Sequence, residues 1–346
     1  MTIKKLIGLL SISLLSLSLV AAEIPKVKTD SPQTYIVQTG DSLWKIADIF
    51  LQNPWLWPSV WQNNAQIENP HLIYPGDVIA LMITSEGPKL VVNPKANQVT
   101  GGEIRLSPKI IQEEHQRSIP LIPLNEIAQF LQQSTVLNDG DQNSYPYILG
   151  GLGEHVISGS GDKVYGRKIG GDENLNIFRL GNPYISSTTK ENLGYAALYV
   201  GRSAVLKKGD PSILLITNSN REVLPGDILL PINNDAIEPN FKPRPAAADF
   251  SGAIIDVVDG VSQIGQYNVV VIDRGMRDGL EEGHTLKVLK NTGQTFDTRA
   301  SEWVDLPAEM VGTLLVFKSF EKVSFGLIMS STTAIELLDR VVGEAS

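Results

Sequence analysis

Apolar and polar positions alternate in three different ways along the chain. Residues 1–22 (MTIKKLIGLLSISLLSLSLVAA) carry one apolar run, Leu6 to Val20, broken only by Gly8 and serines. Those 15 residues fall short of the ~20 a helix needs to span a bilayer. Lys4 and Lys5 before the run and Val20-Ala21-Ala22 after it have the order of an export signal cleaved ahead of Glu23. From 34 to 83 the period changes within a few residues. Tyr35-Ile36-Val37 is β-prone and stops at Thr39-Gly40, a turn signal. Leu43, Ile46, Ala47 and Phe50 then recur at helical spacing behind Asp41 and Ser42, either of which can cap a helix. Trp57 to Ala65 predicts a second helix, with Pro58 in its first turn, ended by Asn69-Pro70. Tyr74-Pro75-Gly76-Asp77 predicts a type II turn, and Val78 to Ile83 a closing strand. The order is strand, helix, helix, strand.

From Tyr147 onward the pattern is short apolar runs punctuated by glycine, among them KVYGRKI, LNIFRLG, YAALYVG, SILLIT, YNVVVID, GTLLVF and SFGLIM. That density of short β-prone runs predicts an all-β sandwich or small barrels. The Pro-rich stretch 238–249 divides the region into two halves and is expected to be a hinge. The halves echo each other: laid without a gap, 212–230 over 324–342 matches Ser212/Ser324, Leu215/Leu327, Ile216/Ile328, Ser219/Ser331 and Asp227/Asp339. Upstream, Gly194 before YAALYV is placed over Gly312 before TLLVF. A duplicated β-module is expected. Convergent strand–turn–strand chemistry is the alternative, since Pro-Gly-Asp at 75–77 and 225–227 recurs between unlike regions.

Composition narrows the chemistry. Formal net charge is −9, and loss of the two leader lysines makes it −11. An acidic chain without a basic cluster is a poor nucleic-acid or anionic-membrane binder. There is no cysteine, which removes disulfides, thiolate zinc sites and cysteine nucleophiles together. The four histidines, His71, His115, His155 and His284, show no H-x-H or H-E-x-x-H spacing. Gly159-Ser160-Gly161 lacks the spacing of a nucleophile elbow and reads as a turn. Glu281-Glu282 reads as solvated, and Gly150-Gly151-Leu152-Gly153 lacks the lysine of a phosphate loop. No catalytic residue, cofactor or metal is expected.

The opening Y-x-V-x-x-G-D-S-L-W-x-I-A and the closing N-P-x-x-I-Y-P-G-D of residues 34–83 resemble the LysM domain. That resemblance implies a βααβ module binding N-acetylglucosamine polymers, in bacteria mainly peptidoglycan. It also implies a groove between Gly40, Asp41, Ser42 and Leu43 on one side and Asn69, Pro70, His71, Leu72 and Ile73 on the other. The residues themselves leave other roles open. Asp41 can be a cap, Leu43 core, Trp44 packing and His71 a plain loop residue, while Trp55, Trp57 and Trp61 read as a hydrophobic contact inside an enlarged helical hairpin.

The run R-G-x-x-D-G-L-x-x-G-x-x-L at 274–286 resembles the C-terminal domain of the flagellar assembly protein FlgT. The order of parts resembles the TsaP family of type IV pilus secretin-associated proteins. This implies a non-enzymatic periplasmic adaptor that ties the outer-membrane secretin PilQ to peptidoglycan. A wall-bound scaffold for another envelope machine such as the flagellum is the alternative, and a wall hydrolase a more distant one.

The expected architecture is multidomain α+β: a small LysM domain followed by a mostly β region of two related modules, SH3-like or small barrels. Its boundaries are a signal at 1–22, a linker at 23–33, LysM at 34–83, a connector at 84–145 with a helix at 123–133, a first β-module at 146–237, the Pro-rich linker at 238–249 and a second, FlgT-like module at 250–346.

Overall fold

The computed structural model describes residues 25–61, 73–85, 87–93, 134–138, 144–153, 157–232, 243–258, 263–290 and 292–343. The predicted leader, most of the connector with its helix at 123–133, and Asn69, Pro70, His71 and Leu72 lie outside them.

The N-terminal unit is β1 (Thr34–Ile36), α1 (Leu43–Phe50), a 3-10 turn (Pro54–Leu56), α2 (Trp57–Trp61), β2 (Val78–Thr84) and β3 (Gly87–Asn93). Tyr35 pairs with Ile79 in an antiparallel β1–β2 register. The sheet continues into β3, which pairs with β2 from Val78↔Asn93 to Thr84↔Gly87, so the strand order is β1-β2-β3. Leu43, Ile46, Ala47 and Phe50 close onto the sheet together with Trp57, Val60, Trp61, Ile73 and Ile79. The helical spacing read from the sequence is therefore the buried face of α1.

Among the described residues the rest is mostly β. β4 (Val136–Leu137) leads into β5 (Tyr147–Gly151), β6 (Lys163–Arg167), β7 (Asn174–Ile185), β8 (Asn192–Lys207), β9 (Ser212–Ser219) and β10 (Ile228–Pro231). β11 (Arg244–Pro245) leads into β12 (Ser251–Val257), β13 (Val269–Ile272), β14 (His284–Lys290), the hairpin β15 (Gln294–Asp297) and β16 (Glu302–Asp305), then β17 (Glu309–Ser319), β18 (Ser324–Ser331) and β19 (Arg340–Val342). Each set closes into a six-stranded barrel, in the order β8-β7-β10-β5-β6-β9 with β8–β9 closing the first, and β17-β14-β19-β12-β13-β18 with β17–β18 closing the second. Closure leaves no free edges. Of the sandwich and the barrel, the fold takes the barrel.

The two cycles are the same cycle, down to register. Gly166↔Ser212 and Lys163↔Leu215 in the first barrel correspond to Ile272↔Ser324 and Val269↔Leu327 in the second. The β8–β9 pairing bulges at Thr217 of β9 and at Leu206 of β8, and the β17–β18 pairing bulges at the matching Met329 of β18 and Phe317 of β17. These matches place Gly201, not Gly194, over Gly312, which corrects the upstream pairing expected from sequence. A Cβ at Gly201 would lie 2.3 Å from the Asn218 carbonyl oxygen, and one at Gly312 would lie 2.5 Å from that of Ser330. Both glycines are held by the same close approach of neighbouring strands.

The turns match as well. Asp227 Oδ2 accepts from Leu224 N at 2.8 Å, and Asp339 Oδ2 accepts from Glu336 N at 2.9 Å. Gly226 at φ +90° is matched by Leu338 at φ +70°. Asp77 Oδ2 accepts from Tyr74 N at 2.9 Å, so the N-terminal unit uses the same carboxylate-closed turn without being a barrel. The Gly159–Asp162 segment is a turn as read, with Gly159 N donating to Asp162 Oδ2 at 2.8 Å.

The described part of the Pro-rich stretch is not free-standing. Arg244 and Pro245 form β11, parallel to β14, and Arg244 also forms an ion pair with Glu281.

The three units pack on one another. β7 and β8 run past the first barrel as a long hairpin whose tip, Ser186 to Glu191, rests on the second. Ser187 donates to Asp273 Oδ2 from its backbone N at 3.0 Å and from Oγ at 2.5 Å, while Asp273 Oδ1 accepts from Ala253 N at 2.8 Å. Arg277 forms a two-point contact with Glu191 at 2.8 and 3.0 Å, and Lys322 Nζ reaches the same carboxylate at 2.8 Å. Beneath these polar contacts, Tyr184, Leu193 and Ala196 of the hairpin pack on Phe317, Phe325 and Leu327 of the second barrel's outer face.

Candidate functional site

The site begins where β1 ends. Val37 N donates to Asp77 O at 2.9 Å and Gly76 N to Val37 O at 2.7 Å, so the turn after Ile73 is fastened beside the loop that enters α1. Gly40, at φ +89°, lets that loop reverse where an L side chain would be strained. It is exposed, with nothing within 4 Å of where a Cβ would stand.

Asp41 organises the loop from inside. Its Oδ2 accepts from Gln38 N at 2.8 Å and Tyr35 Oη at 2.9 Å, and its Oδ1 accepts from Lys45 Nζ at 2.9 Å. Burial, followed by the Asp41 contact, pushes the Tyr35 phenol up to about 12, and the Asp41 hydrogen bond raises Lys45 above the ordinary lysine value. Ser42 is the N-cap of α1, its Oγ accepting from Lys45 N at 3.2 Å. The choice between Asp41 and Ser42 as cap thus falls to Ser42, and Asp41 holds the loop that precedes it.

Leu43 and Ile73 are fully buried, so their side chains serve the core and only their main chain can face a ligand. The structure therefore brings together Gly40, Asp41, Ser42 and Leu43, with Ile73 at the start of the neighbouring segment. Such a site offers a neutral sugar main-chain donors and acceptors on a shallow surface, not a charged pocket.

The tryptophans divide in two. Trp57 and Trp61 are core within the unit. Trp44 and Trp55, with ring centroids 6.5 Å apart, face outward from it into the apolar cluster of the second barrel and the β7–β8 hairpin. Sequence reasoning missed this docking role, although two aromatics beside a complete helical stripe are the surplus that signals it. The indole N–H groups of Trp55, Trp57 and Trp61 are buried and meet no acceptor among the described residues.

A cleft of about 800 Å³ opens between the barrels, walled by Leu180 to Asn182, Ala196 to Tyr199, Arg221 and Asp256. Burial raises the Asp256 carboxyl above the usual carboxylate range, and Asp256 Oδ1 accepts from Val257 N at 2.9 Å. Among the described residues no group of three His, Asp or Glu is placed to hold a metal, and no helix is long and apolar enough to cross a membrane.

No curated protein matches the chain. Residues 35–81 match the family model of the LysM domain, and the N-terminal unit is accordingly a LysM domain, a peptidoglycan- and carbohydrate-binding module carried on a mostly β protein.

Proposed function

We propose that the protein is a non-enzymatic periplasmic adaptor that holds peptidoglycan through residues 34–83 and the outer-membrane secretin PilQ of a type IV pilus through its β-rich half. The observation that carries the tether is the seating of Trp44 and Trp55 against the second barrel. A LysM domain on a loose linker would leave its cargo free to wander, whereas one packed on the barrels transmits load from glycan to partner. The glycan contacts are assigned to the main chain around Gly40 to Leu43 and to the segment Asn69, Pro70, His71, Leu72 and Ile73. The resemblance of the order of parts to the TsaP family supports the secretin as partner.

Co-sedimentation of the full chain with purified sacculi tests the wall arm. Pelleting that soluble N-acetylglucosamine oligomers reverse, with no fragments released into the supernatant, is the expected result. Failure to pellet removes the tether, and released fragments would expose a hydrolase. Recovery of PilQ with the tagged chain from solubilised envelopes tests the other arm. Recovery of a different machine's components in its place would reassign the adaptor.

A further inference from the structure

Each barrel sends out a hairpin at the same point. Arg179↔Leu198 in the first barrel corresponds to Lys290↔Glu309 in the second, and 18 residues follow in each case, 180–197 and 291–308. The tips are alike. Ser186 pairs with Glu191 as Asp297 pairs with Glu302. Lys190 N donates to Ser186 O as Ser301 N does to Asp297 O, and Lys190 and Ser301 sit at φ +61° and +58°. The first hairpin is docked on the second barrel. The second is bare: Trp303 is 66% exposed and Phe296 46%, stacked edge-to-face at 5.5 Å, with Val304 and Leu306 exposed beside them.

The receiving surface is duplicated too. The outer face of β13, β17 and β18 that takes the first hairpin includes Val271, Leu315, Phe317, Phe325 and Leu327. By register, the corresponding residues of the first barrel are Tyr165, Ala204, Leu206, Ile213 and Leu215. They are apolar or aromatic yet half-exposed, with Leu206 at 53%. Exposed Lys163, Lys207 and Lys208 flank them. The free tip carries Asp297 and Glu302 with one arginine, Arg299, so charge as well as shape favours the match.

We propose that the β15–β16 hairpin of one copy docks on the outer face of β6, β8 and β9 of a second copy, repeating between chains the contact made within each chain. The surfaces differ on the two partners, so the contact is heterologous and propagates head to tail. This inference stands apart from glycan and secretin binding.

Sedimentation velocity of the purified full chain across a range of concentrations reads it directly, with species larger than a dimer expected at the upper end. Trp303→Ser and Leu206→Glu each lie on the surface, so unchanged circular dichroism and melting temperature are expected, with association weakened roughly tenfold or more. Mixing the two variants is the decisive arm. One retains a receiving face and the other a hairpin, so together they form a single junction and stop at a dimer. A chain that stays monomeric at every concentration overturns the proposal. So does association that neither variant weakens, or a mixture that makes no dimer.

Discussion

The two barrels have the same strands, register, bulges and turns, yet they are finished differently on the outside. Facing into the barrel, both use aliphatic side chains, such as Val164, Leu214 and Ile216 in the first and Val270, Ile328 and Leu314 in the second. Facing out, the second barrel places Phe317 and Phe325 where the first places Leu206 and Ile213. Interior residues are set by closing the barrel, and that requirement is common to both. Outer residues are set by what covers them. The second barrel is covered by a hairpin and by Trp44 and Trp55, and only there does the outer face become a second core.

The sharpest way to break this comparison is at the bulge both barrels share. Phe317 is fully buried and its counterpart Leu206 is mostly exposed. Phe317→Ala is expected to cost ~3–5 kcal/mol, as for a large core side chain, while Leu206→Ala stays within ~0.5 kcal/mol, as for an ordinary surface position. Urea unfolding of the two variants checks both. Similar losses would mean that the outer faces are equivalent and that docking does not distinguish them.

The second test concerns sameness. Alanine at Gly201 or Gly312 drives a Cβ into a carbonyl oxygen of the neighbouring strand in either barrel. Each substitution is expected to cost ~1–3 kcal/mol, the range of overpacking that the backbone must absorb. Equal shifts in urea midpoint would establish this close strand approach as a common structural need. A tolerated Gly201→Ala beside a damaging Gly312→Ala would show that the first barrel relaxes where the second, gripped by its neighbours, does not.

What was legible in the sequence follows the same division. The LysM unit was readable because its determinants are local: a cap at Ser42, a helical stripe from Leu43 to Phe50, a Pro-Gly-Asp turn. The β region was readable as strands and as a repeat, because Asp227 and Asp339 close equivalent turns. Glycine misled the strand lengths. β7 and β8 run 12 and 16 residues straight through Gly181 and Gly194, which admit Ala196 and Val136 instead of turning the chain. The offset between repeats was also misplaced, since YAALYV and TLLVF have similar apolar patterns and only the cross-strand register picks out Gly201 as the partner of Gly312. Of the site, the Gly40 loop was legible and the outward role of Trp44 and Trp55 was not, because no local pattern records which unit a surplus aromatic will meet.

The smallest expected effect lies in the ion pairs that hold the first hairpin, where Glu191 takes the position that Glu302 takes in the second. Arg277 foremost, and then Lys322, hold the Glu191 carboxyl down at about 2. Because its folded value lies below the ordinary ~4.3 of glutamate, the contribution is complete above that range and is lost as pH falls toward 2. All three side chains are a third or more exposed, so salt screens the contact and its neutral-pH contribution is modest. Melting temperatures of the native chain and of Glu191→Gln, followed from pH 7 to 2, are therefore expected to differ slightly at pH 7 and to converge in acid. High salt should narrow the gap at pH 7. Parallel pH curves would mean that the apolar contact of Tyr184, Leu193 and Ala196 and the Ser187–Asp273 hydrogen bonds fix the hairpin without the Glu191 pairs. In that case the charges at its tip would select where it docks and add nothing to how firmly it stays.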